Sequence, residues 1–459
     1  MFKEQNKDQQ GSLWLVNADI VRTAASVYYD SLNTALSEAN FSKKIRKASE
    51  PYYNWTEVRG RRGIDPVVYF KMLMVGFFEN IGSERGIAAR CADSISIRDF
   101  LKYELTERTP DHSSLTRIRQ RLGQEVYDEA FSILLSVLAK HKLLKGKKLG
   151  VDTSVIEANA SMRTIINRDT GETYGEYVKR LAKESGIESE DQDAVRGFDR
   201  KRKGKKVSND EWHNPNDDDA RIGPTKQGKI KMIHKIEHIV DMDTGAIVDL
   251  DVLPGDQSDS EDLAEHIWDA ENRINKALGK PQDEATATAM VADKGYFAID
   301  ELSRLQRSGI RTVVEEPKVN RNLARLDEQG VKAVKTARRT VATKYGKKLK
   351  RGRGEYLERS FTHVLDNGDL RKATLKGQPN LYKRAVIAAM CCNVSLLMRN
   401  IFGVGTPKQA LAGALLALTN LIYNLRNELF IQASPNNQFK TQPEENHNFD
   451  WNSLLLVQA

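Results

Sequence analysis

Apolar residues recur every three or four positions through VVYFKMLMVGFFE after Asp65 and Pro66, and this pattern predicts a buried helix ending near Asn80 and Gly82. SERGIAARCADS follows as a second helix with Ser83 at its cap. SISIRDFL is a third short element, and the Pro110, Asp111, His112 start opens another helix that runs to Gly123. Upstream, helical patterning extends from about 18 to 46. Helices continue downstream to about Leu144.

The period changes at Lys147. KKLGVDTSVIEANA reads as a strand with Asp152 at its centre. Two apolar runs flank Asp243, Thr244 and Gly245, a hairpin signal. Residues 259–278 predict a helix, 285–293 a strand ending at Asp293, 296–309 a helix, and GIRTVVEEP a strand closed by Pro317. Between the first strand and the hairpin, 168–222 is charged and turn-rich and reads as a surface insertion. The order of strand, hairpin, helix, strand, helix, strand predicts a mixed α/β sheet with helices on its faces. The expected organisation is a helical domain over 1–146, an α/β domain over 147–378 with insertions near 168–228 and 317–353, and C-terminal helices with a polar tail over 379–459.

Charge sharpens this outline. Lys and Arg total 71 against 63 Asp and Glu, and the net charge is +8. The window 321–372 holds 15 Lys/Arg against 6 Asp/Glu, enough to account for the whole excess. Its densest part, KYGKKLKRGR over 344–353, reads as a polyanion-binding segment whose Gly346, Gly352 and Gly354 would let backbone approach phosphates. A solvated surface loop is the plainer alternative. Arg85, Arg90, Arg98, Arg117, Arg119 and Arg121 lie on short helices that suggest a helix-turn-helix arrangement, or equally an ordinary bundle.

The three cysteines, Cys91 and the adjacent Cys391 and Cys392, are too few for a disulfide scaffold or a four-cysteine zinc site, and they fit a reducing cytosol. The first ten residues lack the apolar segment of a secretory signal. Stretches at 385–402 and 409–424 are apolar but interrupted by polar groups, and are expected to be core helices rather than membrane spans.

Asp152 and Asp293 are the acids that stand out. The first is the acid inside an otherwise apolar strand, and the second ends one. Either could pair with a base, cap a helix or bind a hard divalent ion through oxygen. His234 and His238 share a strand face without a third ligand nearby, so a metal role for them is weak.

In combination these segments carry a family pattern. Asp152-Thr153 followed by EANA, then ADKGY over 292–296, the DTGAIVDLDVLPGDQSDS hairpin and ERSFTHVLDNGDLRKATLKG over 358–377 stand in order. With the helical block from YFKMLMVGFFENIG to PDHSSLTRIRQRLG, the chain resembles bacterial insertion-sequence transposases of the DDE type over roughly 60–430. The resemblance implies an RNase H-like catalytic core behind a helical DNA-binding domain, and an Asp-Asp-Glu triad holding two Mg²⁺ or Mn²⁺ ions. It implies endonuclease cleavage that frees a 3′-hydroxyl, then transfer of that hydroxyl to target DNA. By it Asp152, Asp293 and Glu358 are the catalytic metal ligands. Glu355 is the rival third carboxylate, because Arg351 lies four residues before it. Glu315 and Glu316 fit less well. The DNA-binding residues expected are Arg117, Arg119, Arg121, Lys347, Lys348, Lys350, Arg351, Arg353, Arg359, Arg371 and Lys372. Partners would be double-stranded DNA at transposon ends and target, and a second copy of the chain. The location would be the bacterial cytoplasm, at the nucleoid. A nuclease that cannot join strands, or a transposase-derived DNA-binding protein without chemistry, are the alternatives.

Overall fold

A computed structural model describes residues 2–3, 23–53, 63–187, 191–203, 207–318, 322–415 and 417. Residues 1–411 form one unit and 412–459 a second.

The N-terminal half is helical. The pattern from 18 to 46 resolves, within the described residues, into α1 (Ala24–Glu38) and α2 (Phe41–Ser49), broken at Asn40. Asn40 has φ +53, a left-handed conformation its short polar side chain tolerates. Then come α3 (Pro66–Glu79), α4 (Glu84–Asp93), α5 (Ile95–Leu101), α6 (His112–Arg121) and α7 (Gln124–Lys140). Helices α3, α4 and α6 start where the sequence places them, and each start is capped by a side chain. Asp65 accepts from Val67 N, Ser83 from Gly86 N and Asp111 from Ser114 N. Helix α3 is buried nearly all round; its Tyr69 and Phe70 pack edge-on against Tyr127, and its Phe78 against Tyr28. The hydroxyls of Tyr69 and Tyr127 bond each other at 2.8 Å, which satisfies two polar groups inside this core.

The second half is built on one sheet. Its strands are β1 (Lys148–Glu157), β2 (Arg221–Pro224), β3 (Ile230–Asp241), β4 (Ile247–Pro254), β5 (Ala289–Ala292) and β6 (Arg311–Val314). Laterally the order is β4-β3-β1-β5-β6, with β2 pairing the first residues of β3. The β3–β4 hairpin and the β1–β3 pair are antiparallel, while β5 and β6 run parallel to β1. The parallel steps are crossed by α10 (Leu263–Leu278) before β5 and α11 (Ile299–Arg307) before β6.

The described parts of the two insertions are folded. Those of 168–228 form a small module within the charged insertion. It contains α8 (Tyr174–Glu184) and α9 (Gln192–Lys201), whose Val178, Ala182 and Val195 bury one another, and it supplies β2 to the sheet. The described residues of the basic 317–353 stretch are largely helical. Within it lie α12 (Glu328–Ala342) and the first half of α13 (Lys344–Thr362). Gly346 serves packing there: a Cβ would lie 2.1 Å from Thr340 O at the α12–α13 turn.

Helix α14 (Gln378–Phe402) closes the open edge of the sheet. Asn393 Oδ1 accepts from Ile247 N at 2.9 Å and its Nδ2 donates to Ile247 O at 2.7 Å. Gln378 donates in the same way to Val252 O. Both side chains satisfy backbone groups of edge strand β4 that would otherwise stand unpaired. The span Gln378–Leu415 is long and apolar enough to cross a membrane, but 67% of its most apolar window is buried in the protein, as a core helix requires.

Candidate active site

Gly150 on β1 pairs with Val291 on β5 in parallel register. Two residues further along each strand are Asp152 and Asp293, so the two acids leave neighbouring strands on one sheet face. Burial raises the Asp152 carboxyl above its ordinary value, and Asp293 raises it further, while Arg353, the Thr153 N–H and Lys226 oppose that rise. Asp293 ends β5 and caps the short turn at Lys294–Tyr296, accepting from Gly295 N at 2.7 Å.

The same face carries α13. Leu357 is fully buried, 3.4 Å from where a Gly150 Cβ would sit, and Phe361 packs edge-on against His238 with ring centroids 3.8 Å apart. His238 is the cross-strand partner of Asp152. Both its ring nitrogens lack a hydrogen-bond partner among the described residues, and burial pushes its pKa down to about 3. It is therefore a neutral packing group. His234 instead meets Asp217 at 3.1 Å, and both are buried.

Arg353, from the basic run, reaches Asp152: its Nη1 lies 3.1 Å from Asp152 Oδ2. A cation thus already sits on the first carboxylate. Asp152, midway along β1, and Asp293, just past the end of neighbouring β5, are oxygen donors with the chemistry to hold a hard divalent ion. Glu358 does not join them. It is exposed on α13, with Oε1 3.9 Å from where a Gly354 Cβ would be. Among the described residues no group of three or more His, Cys, Asp or Glu is arranged to hold a metal ion. Helix geometry nonetheless separates the two glutamates. At about 100° per residue, Glu358 lies a quarter turn from the sheet-facing Leu357, whereas exposed Glu355 lies about 160° away.

The opposite face of β1 holds a network that the sequence did not reveal. The Thr153 hydroxyl bonds the Tyr296 hydroxyl, which donates to Glu237 Oε2 at 3.0 Å. His266 on α10 donates through Nδ1 to Glu237 Oε1 at 2.6 Å. That bond to Glu237 raises the His266 pKa to about 9, and burial drives the Tyr296 phenol far upward. The strand pairing Thr153–Glu237 is what brings these groups into line. Asp259 was also overlooked. It is held by Lys235 Nζ at 2.7 Å, and its Oδ2 lies 3.6 Å from a Cβ position on Gly295, beside Asp293.

The expected DNA contacts scatter. Arg119 is bound to Glu84 at 2.9 Å and to Asn380, tying α4, α6 and α14 together. Arg121 lies over the Tyr53 ring, and Arg117 folds back on Ser113. Lys350 pairs with Glu315, Arg371 with Asp366, and Lys372 with Glu157 at 3.7 Å. Lys347, Lys348 and Arg351 are exposed on α13. Arg359 stacks on Tyr356 at 5.3 Å. Asn159 donates to Thr374 O at 2.9 Å, which fastens the segment after β1 to the stretch that precedes α14.

Residues 28–121, from α1 through α6, match a family model described as "Transposase domain (DUF772)". No curated protein matches the chain. A solved structure, the cryo-EM structure of a piggyBac transposase synaptic complex with hairpin DNA, is similar at a TM-score of 0.33 and 12% identity, over 92% of this chain and 87% of that one. A likeness that loose bears on neither fold nor chemistry. The transposase-domain match is confined to the helical half and leaves the sheet, with Asp152 and Asp293, outside it.

Proposed function

We propose that this protein is a transposase of the DDE type, cutting DNA at the ends of an insertion sequence and joining those ends to target DNA. The observation that carries the reading is the adjacency of Asp152 and Asp293 on neighbouring parallel strands, in the strand order β4-β3-β1-β5-β6. That order is consistent with an RNase H-like core. The transposase-domain match over 28–121 supports it independently.

Asp152 and Asp293 would hold Mg²⁺ or Mn²⁺, with Glu358 brought in by α13 as the third carboxylate. Bound there, the ions would activate the attacking oxygen and stabilise the leaving one. The chain's own contribution is placement. Neighbouring strands β1 and β5 fix the two aspartates, Leu357 and Phe361 seat α13 over that face, and the basic surface of α13 attracts the phosphate backbone. Joining two ends implies a dimer on DNA.

The test is product analysis on DNA carrying the flanks of this gene, in Mg²⁺. End-specific nicks followed by covalent joining to a target duplex support the reading. Nicks without joined products would favour a nuclease, and binding without nicks in Mg²⁺ or Mn²⁺ would favour a DNA-binding protein without chemistry.

A further inference from the structure

Helices α13 and α14 flank a cleft beside the β3–β4 turn. Arg359 leaves α13 toward Gly245, where a Cβ would sit 3.5 Å from its Nη2. The turn glycine, at φ +82, keeps that space open. Arg399 leaves the last turn of α14 and lies over Gly405, where a Cβ would sit 2.6 Å from its Nε. Gly405 is itself fixed, since its carbonyl accepts from the Tyr28 hydroxyl at 2.9 Å and its N–H donates to Gln409 at 3.0 Å. Both arginines are exposed, and neither makes an ion pair among the described residues.

His363, Cys392 and Arg399 line both hollows of the cleft, which therefore adjoin. The larger hollow, about 250 Å³, adds Lys408, and the smaller adds Arg359. No carboxylate lines either hollow. Burial, Arg399 and Arg359 hold the His363 imidazole below its usual pKa against the opposing pull of Asp366, so both arginines act on this one side chain. Two exposed guanidinium groups that line one hollow with no carboxylate in its wall form a site for an anion with several acceptor oxygens.

We propose that this cleft binds the phosphodiester backbone of DNA, with Arg359 and Arg399 each neutralising a phosphate. The proposal rests on the transposase reading and adds a DNA-contact surface to it. Arg359 directly follows Glu358, so a strand held here passes the helix that carries the expected third carboxylate. Arg399 lies outside the basic window of 321–372, and only the fold brings it to Arg359.

The test is duplex binding by fluorescence anisotropy across a salt series, for wild type and R359Q/R399Q, with thermal melting to check that the variant is folded. Each phosphate contact contributes close to one unit of slope in log K against log salt. The expected result is a slope shallower by about 2 and an affinity at least roughly tenfold weaker in the double variant. A second titration uses inorganic phosphate alone. Unchanged DNA affinity and slope in a folded double variant would overturn the proposal and leave the transposase reading standing. Saturable phosphate binding lost in the variant, with DNA binding unaltered, would reassign the cleft to a small anion. Wild type that binds no duplex at any salt would overturn both readings together.

Discussion

Arg353 and Asp152 lie 3.1 Å apart, joining the basic half of α13 to the central strand of the sheet. The guanidinium stands where a divalent cation would approach the first aspartate. A unit charge a few ångströms away is worth on the order of 1–4 kcal/mol in a partly solvated setting. Arg353→Gln is therefore expected to tighten Mn²⁺ binding by the DNA-free protein at least roughly tenfold. Calorimetric titration of both proteins checks this. Equal Mn²⁺ affinities would mean that Arg353 does not compete for Asp152.

The choice between Glu358 and Glu355 follows from their positions on α13. Glu358 stands about a quarter turn from the sheet-facing Leu357, and Glu355 nearly half a turn. Glu358→Ala is expected to abolish strand cleavage, by at least about 100-fold, because an absent ligand removes transition-state stabilisation. Glu355→Ala should cleave within a few-fold of wild type. Rate measurements on one end substrate decide, and the reverse pattern would transfer the role to Glu355.

Hydrogen bonding predicts opposite effects for two buried groups. Tyr296→Phe strips Glu237 of a donor and Thr153 of its partner, which should cost about 1–3 kcal/mol in unfolding free energy. His238 has no hydrogen bond to lose, so His238→Leu should be neutral or stabilising. Denaturant melts of the two variants test both. A destabilised His238→Leu would show that the imidazole has a polar partner in solution.

His266 gives a pH signature. Its folded pKa is raised to about 9 from 6.5, so its pairing with Glu237 stabilises the fold fully below pH 6.5. That contribution disappears as pH rises through 9. Asp249, raised to about 6 by burial, acts in a lower window, between its ordinary value and pH 6. Melting temperature should therefore fall between pH 7 and 10 for wild type, and fall less for His266→Gln. Parallel curves would remove His266 as the cause.

Much of this was legible in the chain. The change of period at Lys147, the hairpin about Gly245 and the strand ending at Asp293 gave the element order, and the caps at Asp65, Ser83 and Asp111 gave helix starts. Each is a local signal, set by side-chain spacing and backbone hydrogen bonds. Pairing relationships were not legible. Glu237 meets Thr153 through strand register, and Arg399 meets Arg359 across elements 40 residues apart. The basic run looked open because glycine and lysine are poor guides to a helix whose stability comes from burying Leu349 and Leu357 on the sheet. The module at 174–201 hid its small core among charges for the same reason.

The Asn393 contact extends the account to stability. Asn393→Ala leaves the N–H and C=O of Ile247 unpaired beneath α14, and should cost about 1–3 kcal/mol. Calorimetric unfolding checks it, and an unchanged melt would mean that water replaces the amide.

The central claim is that Asp152 and Asp293 act as a pair in DNA cleavage. It is tested most directly by nicking of end DNA in Mg²⁺ by wild type, Asp152→Asn and Asp293→Asn, at protein concentrations that saturate the DNA. The account predicts end-specific nicks from wild type and none from either variant, with DNA affinity retained. Nicking at wild-type rate by either variant would contradict it.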